Sequence, residues 1–327
     1  MSTKDVSFNT GQKLPIKQFK LTQLSSHKDL PAMLFIAPRG SGKTVLCQTI
    51  LNHFKHIPVG LIIAPTDRMN ASYSSFFWDS YIYYDFEVEI MNRLLARQKK
   101  MIRKCKEANK RGKSVDPRCF LVMDDCLASS KVWEKEYSIK EIMYNGRHYQ
   151  IAYMLTMQYP VGIHPSLRTN FDYVFMFYEA KVNQLKKYYD HYAGVFPTFD
   201  SFKQSFTQLT KEKGSCMVLA NKSDDKSFHS TVYWYRAPWP VVTQDIGCKE
   251  FIEYHKRNYN KNWEEDMDDE NIKDDDPVAG YLERQKKTKG TIKIDMVDND
   301  DNKNYNKKSN NSKQKSYKNK NESDENF

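Results

Sequence analysis

A loop at residues 37–44 combines the residue types that bind nucleotide phosphates. Its sequence is Ala37-Pro38-Arg39-Gly40-Ser41-Gly42-Lys43-Thr44. An apolar run at 33–36 precedes the loop, and residues with helical spacing follow at 45–51, which predicts a strand, a loop and a helix in that order. Glycines in such a turn let backbone N–H groups face phosphate oxygens, and the helix N-terminus adds a partial positive charge. We therefore predict an ATP-binding site at this loop.

Two residues of the loop have separate predicted roles. The Lys43 ammonium is expected to reach the β- and γ-phosphates, and the Thr44 hydroxyl is expected to bind Mg²⁺.

Ala37 stands where the usual pattern begins with glycine, and an alanine fits there if its φ is negative. The competing interpretation is a chance glycine-serine turn before a helix. An intact GSGKT between a strand and a helix argues against it.

Two carboxylates end a second apolar run, Cys119-Phe120-Leu121-Val122-Met123-Asp124-Asp125. A P-loop ATPase needs such a strand beside the P-loop strand, with one acid for the metal and one for the attacking water. Asp124 is the predicted Mg²⁺ carboxylate and Asp125 the predicted catalytic base. Most ATPases of this kind have Glu in the second place. The competing interpretation is an ordinary strand that ends in a solvated acidic turn.

Three further polar residues complete the predicted site. Gln158 follows the apolar run 151–157, at the sheet edge where ligands of α/β proteins bind, and its amide could orient the lytic water. An arginine is needed to neutralise charge on the transferred phosphoryl group, and Arg147 and Arg168 flank that strand. Either arginine could reach the nucleotide of a neighbouring subunit. A strand-end amide and surface or capping arginines are the structural alternatives.

The elements that must position these residues alternate along the chain. Helical patterns separate most of the apolar runs, which predicts an α/β fold with a mostly parallel sheet and helices on both faces. Strands are predicted at 33–36, 59–64, 119–123, 151–156, 173–177 and 216–220, with a possible edge strand at 230–234. Helices are predicted at 43–54, 86–111, 137–146, 181–193 and 200–210.

The chain divides into three predicted regions. Residues 1–30 form a polar lead-in, residues 31–256 form the ATPase domain, and residues 257–327 form a low-complexity tail. The tail is rich in Asn, Lys, Asp and Ser, cannot bury enough apolar surface to fold, and is therefore expected to be disordered.

Composition narrows the functional class. No run of about 18 apolar residues is present, so we expect no membrane span. The six cysteines form no CxxC pair, and the N-terminus has no apolar signal core, which is typical of a reduced intracellular protein. The formal net charge of the 327 residues is +10, which favours a nucleic-acid partner.

The segment between the second and third strands is strongly basic. Residues 91–118 contain eleven Lys or Arg residues against only Glu107 and Asp116. A helix of this kind could bind DNA phosphates without reading sequence, as a translocating motor requires. A solvated basic face that touches nothing is the equally weighted alternative.

These motifs together resemble the DNA-packaging ATPases of large double-stranded DNA viruses, a group within the FtsK–HerA superfamily that includes the poxvirus packaging ATPase. The matching stretches are APRGSGKT at 37–44, LIIAPT at 61–66, LVMDDC at 121–126, NGRH at 145–148, the Gln158 strand and LRTNFDYVF at 167–175. The paired acids at 124–125 are similar to this viral group. The resemblance implies a RecA-like P-loop ATPase core, assembled as a homo-oligomeric ring, that pumps double-stranded DNA into a capsid.

The resemblance also implies partners and a location. A capsid or portal-vertex protein would be a partner, and the chain would act in the cytoplasm or viral factory of an infected cell, with association to the virion a further option. For the arginine that acts in trans we favour Arg147. The alternatives are a HerA-like DNA helicase or translocase in DNA processing, and a catalytically weak nucleotide-binding protein that coats DNA.

Overall fold

Among the residues that the structure describes, eight strands form one mixed sheet with a parallel centre. The computed structural model describes residues 2–24, 30–126, 130–222, 225, 227–241 and 245–262. The strands are β1 (Thr3–Ser7), β2 (Lys13–Lys17), β3 (Ala32–Ile36), β4 (Val59–Ile63), β5 (Ile82–Tyr83), β6 (Cys119–Met123), β7 (Ile151–Met157), β8 (Tyr173–Phe177), β9 (Ser215–Ala220) and β10 (Val232–Arg236). Their order in the large sheet is β10-β9-β8-β3-β7-β6-β4-β5, and β1 pairs with β2 in a separate hairpin.

The direction of each strand decides which loops meet. Strands β8, β3, β7, β6, β4 and β5 are parallel, whereas β9 runs antiparallel to both β8 and β10. The carboxyl ends of β3, β6 and β7 therefore share one edge with the beginning of β9 and the end of β10. We call that edge of the sheet the carboxyl edge, and the opposite one the amino edge.

Helices cover both faces of the sheet. They are α1 (Lys43–His53), α2 (Asp67–Asn70), α3 (Val88–Lys110), α4 (Ser130–Trp133), α5 (Tyr137–Asn145), α6 (Pro165–Arg168), α7 (Val182–Tyr192), α8 (Phe199–Leu209), α9 (Phe228–Thr231) and α10 (Lys249–Asn258). Alternate residues of β3 enter different cores: Leu34 and Ile36 pack with α3, α5, α7 and α8, while Met33 and Phe35 pack with α1. Burial on both faces explains why the central strands are apolar at every position.

The predicted α/β fold class is confirmed. The strand of the paired acids, β6, was expected beside β3, but β7 lies between them. The observed strands β6 and β8 have the predicted bounds, and β7 ends one residue later than predicted. The predicted edge strand is β10, shifted toward the carboxyl end. Strand β5 was not predicted, because two residues are too short to show the alternation of a strand. Within the described ranges, no helix combines the length and apolar content needed to cross a bilayer.

The ends of the chain add to the predicted core. Residues 1–30 include the β1–β2 hairpin, whose Val6 and Ile16 are buried against the layer that contains α8. Gln208 of α8 holds Ser7 through both its backbone N–H and C=O, at 2.9 and 2.7 Å. The predicted boundary at 256 falls inside α10, whose Phe251 stacks on Tyr81 with ring centroids 3.8 Å apart. From residue 263 on, the predicted disordered tail lies outside the described residues.

Candidate active site

The loop at 37–44 connects β3 to α1 at the carboxyl edge. The Ala37 N–H donates to the Met157 carbonyl at 2.9 Å, which extends the β3–β7 ladder by one residue. The backbone of Ala37 does not adopt the left-handed conformation, which a residue with a Cβ rarely adopts. Gly40 and Gly42 do adopt that region, with φ of 72° and 100°. The loop therefore turns at its glycines, and alanine is tolerated at its start.

Gly42 is favoured by a close contact as well as by conformation. A Cβ added there would lie 3.2 Å from the Gly214 Cα, which immediately precedes β9. Gly42 also caps α1 without a side-chain hydrogen bond. The first N–H groups of a helix have no intrahelical acceptor, so they are free to bind an anion. The residues of the loop thus fit a triphosphate.

Lys43 joins the loop to the paired carboxylates. Its Nζ lies 3.1 Å from Oδ1 of Asp124 and 2.7 Å from Oδ1 of Asp125. The Lys43 and Asp124 side chains are 10% and 5% exposed, whereas Asp125 retains 21%. The Lys43 ammonium neutralises the negative charge of these two carboxylates. Phosphate oxygens of a bound nucleotide would compete with the carboxylates for the ammonium.

The electrostatics of the cluster keep Lys43 and Asp125 charged. Burial alone would lower the pKa of Lys43, but the charges of Asp124 and Asp125 outweigh burial and raise it above its ordinary value. Burial alone would raise the pKa of Asp125, but hydrogen bonds from Lys43 and Gln158 and the Lys43 charge hold it below its ordinary value. Asp125 is therefore ionised near neutral pH, as a proton acceptor must be.

Gln158 lies where the sequence analysis places it, beside the second carboxylate. Its Nε2 donates to Asp125 Oδ1 at 3.0 Å. Asp125 itself has a left-handed backbone, with φ of 54°. This conformation is uncommon outside glycine, although Asp and Asn adopt it more readily than other residues. The amide and the turn together aim the Asp125 carboxylate at Lys43.

Thr156 is a site residue that the sequence analysis missed. Its hydroxyl, fully buried on β7, donates to Asp124 Oδ1 and accepts the Asp125 N–H at 3.0 Å. One side chain thereby positions both acids. The available signal was a polar residue inside the apolar run 151–157, but only the pairing of β6 with β7 shows what that hydroxyl faces.

The oxygen donors of Thr44 and Asp124 suit Mg²⁺. Magnesium is bound in such sites by one or two protein oxygens together with substrate phosphates. Among the described residues there is no cluster of three or more His, Cys, Asp or Glu side chains that could hold a metal.

A cavity of ≈ 880 Å³ runs along the carboxyl edge over the loop. Its walls include residues of the phosphate loop, Asp125 and Gln158 on one side, and residues flanking β9 and β10 on the other. Those flanking residues are Lys213, Gly214, Arg236, Ala237 and Trp239.

The two candidate arginines lie away from this cavity. Arg147 is exposed at the amino edge, where it lines a separate cavity of ≈ 220 Å³ beside the first residues of β3 and β7. Arg168 is 9% exposed, and its Nε and Nη1 atoms have no hydrogen-bond partner among the described residues. The structure thus brings Lys43, Asp124, Asp125 and Gln158 together, and leaves both arginines outside that cluster.

The sheet, the phosphate loop and the paired acids define a P-loop NTPase fold. Within that class, the chain belongs to the poxvirus A32 protein family, whose model matches residues 16–191. The resemblance to the poxvirus packaging ATPases that the motifs indicated is thereby confirmed.

Relatives of this chain are proteins of viruses. It is 37% identical over 281 residues to "Uncharacterized protein L437" of Acanthamoeba polyphaga mimivirus, covering 85% of this chain and 96% of the relative. It is 32% identical over 234 residues to "Uncharacterized protein 075L" of Invertebrate iridescent virus 6, covering 71% and 87%. The chain therefore matches nearly the full length of these viral proteins.

Solved structures match this chain at lower sequence identity. One is the genome packaging NTPase B204 from Sulfolobus turreted icosahedral virus 2 in complex with ATP-gammaS, at 17% identity and a TM-score of 0.45. That match covers 63% of this chain and 96% of the other. Another is the pCW3 conjugation coupling protein TcpA, at 14% identity and a TM-score of 0.47, covering 72% of this chain and 65% of the other.

Proposed function

We propose that this protein is an ATP-hydrolysing translocase that packages double-stranded viral DNA into capsids. The observation that carries the proposal is the Lys43–Asp124–Asp125 cluster beside a phosphate loop, in a chain of the A32 family. The viral origin of its relatives supports a role in infected cells. A ring of identical subunits and a capsid or portal-vertex protein are the partners we propose.

The side chains of the site have distinct tasks in hydrolysis. When the triphosphate binds, Lys43 transfers its hydrogen bonds from the carboxylates to the phosphate oxygens, which frees Asp125 and raises its basicity. A water molecule oriented by Asp125 and Gln158 attacks the γ-phosphorus, the bond to the β-phosphate oxygen breaks, and the water proton passes to Asp125. Thr44 and Asp124 would hold Mg²⁺, which would supply positive charge to the phosphates.

DNA contact is proposed for the basic face of α3. The first half of α3 is anchored by Ile90, Met91, Leu94 and Leu95. The buried Gln98 amide donates to the carbonyls of Pro117 and Tyr149, at 2.9 and 2.6 Å. Beyond Gln98 the helix presents the exposed cations Lys99, Lys100, Arg103, Lys104, Lys106 and Lys110. A rigid helix with these charges suits binding to phosphates without base recognition.

Stimulation of ATP hydrolysis by DNA tests this function. We expect double-stranded DNA to raise the ATPase rate of the oligomer several-fold at low salt. Neutralising Lys99, Lys100, Arg103 and Lys104 to alanine should remove the stimulation and flatten its salt dependence, because fewer counterions are released from DNA. The control variant, Lys186→Ala with Lys203→Ala, removes exposed lysines from α7 and α8 and should keep it.

Other outcomes of that experiment point elsewhere. Equal rates with and without DNA, in a protein that turns ATP over, contradict a DNA motor. DNA binding without measurable turnover favours a nucleotide-binding protein that coats DNA. Stimulation accompanied by strand separation favours a HerA-like helicase.

Arg147 is our proposed trans-acting arginine. Because Arg147 lies at the opposite edge of the sheet from its own phosphate loop, it can serve catalysis only from a neighbouring subunit. We expect Arg147→Ala to bind ATP but lose hydrolysis. An equal mixture with Lys43→Ala should regain about a quarter of the wild-type rate, because about one interface in four then joins an intact Lys43 to an intact Arg147.

Arg168 provides the comparison for this test. The same mixing is done with Arg168→Ala in place of Arg147→Ala. Restored activity for Arg168→Ala together with none for Arg147→Ala assigns the trans role to Arg168. The amount of folded protein, measured by circular dichroism, separates this result from simple destabilisation of a buried arginine site.

A further inference from the structure

We infer that Trp239 is a stacking platform for the nucleobase, and that Lys213 and Arg236 bind the phosphate nearest the sugar. This inference rests on the proposed function, since it concerns the same nucleotide. The ligand class is a nucleoside triphosphate, with a purine favoured because its larger ring offers more area for stacking.

The direction of the nucleotide follows from strand order. Asp125 and Gln158 follow β6 and β7, which lie on one side of β3. The reacting γ-phosphate must face these groups. The sugar and base therefore leave the loop on the other side of β3, where β8, β9 and β10 lie. The cavity of ≈ 880 Å³ continues to that side and ends at residues flanking β9 and β10.

Trp239 has the exposure of a binding residue rather than a core residue. It is 77% exposed although it lines the cavity. Trp234 on the preceding strand, by contrast, is 8% exposed. A large aromatic side chain left open at the mouth of a cleft is suited to stack on a flat ring. Tryptophan does so with little loss of side-chain freedom, because only two torsions are fixed.

Two cations stand between this platform and the phosphate loop. Lys213 precedes β9, Arg236 ends β10, and both side chains line the cavity. Arg236 Nη1 is held at 2.6 Å by Glu212 Oε2, which fixes its direction while both groups remain half exposed. A guanidinium can bind phosphate oxygens with its remaining N–H groups. Lys213 and Arg236 therefore offer positive charge to the α-phosphate on the β9–β10 side of the cavity.

Strand pairing and one close backbone contact connect Arg236 to the phosphate loop. Ser215 and Arg236 are paired residues of the β9–β10 ladder. Gly214, adjacent in sequence to Ser215, packs against Gly42 so closely that a Cβ on Gly42 would lie 3.2 Å away. Arg236 is thus connected to the loop through the β9–β10 ladder and this backbone contact. Trp239 follows Arg236 closely in sequence and lines the same cavity.

Binding of ATP and of inorganic tripolyphosphate to Trp239→Ala tests the platform. We expect ATP binding to weaken about tenfold while tripolyphosphate, which has no base, binds as in wild type. Trp239→Phe should recover most of the loss. Tyr254→Ala, which truncates an aromatic side chain that is 55% exposed on α10, should bind both ligands normally.

Each other result has a separate meaning. Unchanged ATP affinity in Trp239→Ala, or equal loss for both ligands, overturns the platform and leaves the proposed function standing. A wild-type chain that binds neither ATP nor tripolyphosphate overturns the proposed function and the platform together. Arg236→Ala should weaken ADP and ATP alike, because it acts on the phosphate nearest the sugar.

Discussion

Lys43→Ala is expected to reduce kcat/KM for ATP hydrolysis by about 10²- to 10³-fold, the usual effect of removing one preorganised donor. Lys43 is the cation that the structure places between the loop and both carboxylates. Without it, phosphate charge is less well balanced, and Asp124 and Asp125 repel each other and the nucleotide. Steady-state ATPase assays over a range of ATP concentrations measure this effect.

The same substitution should also lower stability. Removing one partner of a buried ion pair leaves uncompensated charge, and we expect the free energy of unfolding to fall by about 2 kcal/mol. The loss is smaller than for a fully buried pair, because the Asp125 side chain remains 21% exposed to water. Lys43→Arg is the matched control: it keeps the charge and most of the stability, but its longer fork misplaces the donor.

The stability difference between wild type and Lys43→Ala should depend on pH. The Asp125 pKa is lowered in the folded protein, so its contribution is present above the ordinary value of 3.8 and is lost as the pH falls through the lower folded value. The Lys43 pKa is raised, so its contribution is present below 10.5 and is lost at higher pH. Denaturant unfolding at pH 7 and pH 3 should show the difference shrinking in acid. A difference that stays constant contradicts the ion-pair explanation.

Asp125→Asn is expected to lower kcat by about 10²- to 10⁴-fold, the range for removing a general base. The amide cannot accept the proton of the attacking water. Asn is the appropriate substitution, because Asp125 has a φ of 54° and Asn tolerates that conformation better than Ala. ATP binding should be retained or strengthened, since a negative charge beside the γ-phosphate is removed.

Single-turnover measurements distinguish a chemical defect from a binding defect. Asp125→Asn should show ATP saturation near the wild-type concentration and a slow chemical step. Asp190→Asn, an exposed change on α7, is the control and should behave as wild type. A normal chemical step in Asp125→Asn would assign the proton to another acceptor.

The order of elements was largely readable from local sequence patterns. Strands β3, β6, β7 and β8 are short apolar runs, and the helices between them have an amphipathic period. These signals are local, because each depends on how neighbouring residues alternate along one segment. Short β5 and the hairpin β1–β2 lacked such a signal, since two residues or a mostly polar ribbon show little apolar pattern.

The sequence by itself determined the phosphate loop, the two acids and their strand, because glycine conformation and strand-end carboxylates are properties of neighbouring residues. Only the tertiary structure decided that β7 lies between β3 and β6, which places Thr156 on both acids and Gln158 on Asp125. The tertiary structure also decided that β9 begins beside the phosphate loop and that Arg147 lies at the amino edge of the sheet. Strand order and direction are set by long-range packing among similar apolar strands, which no local pattern encodes.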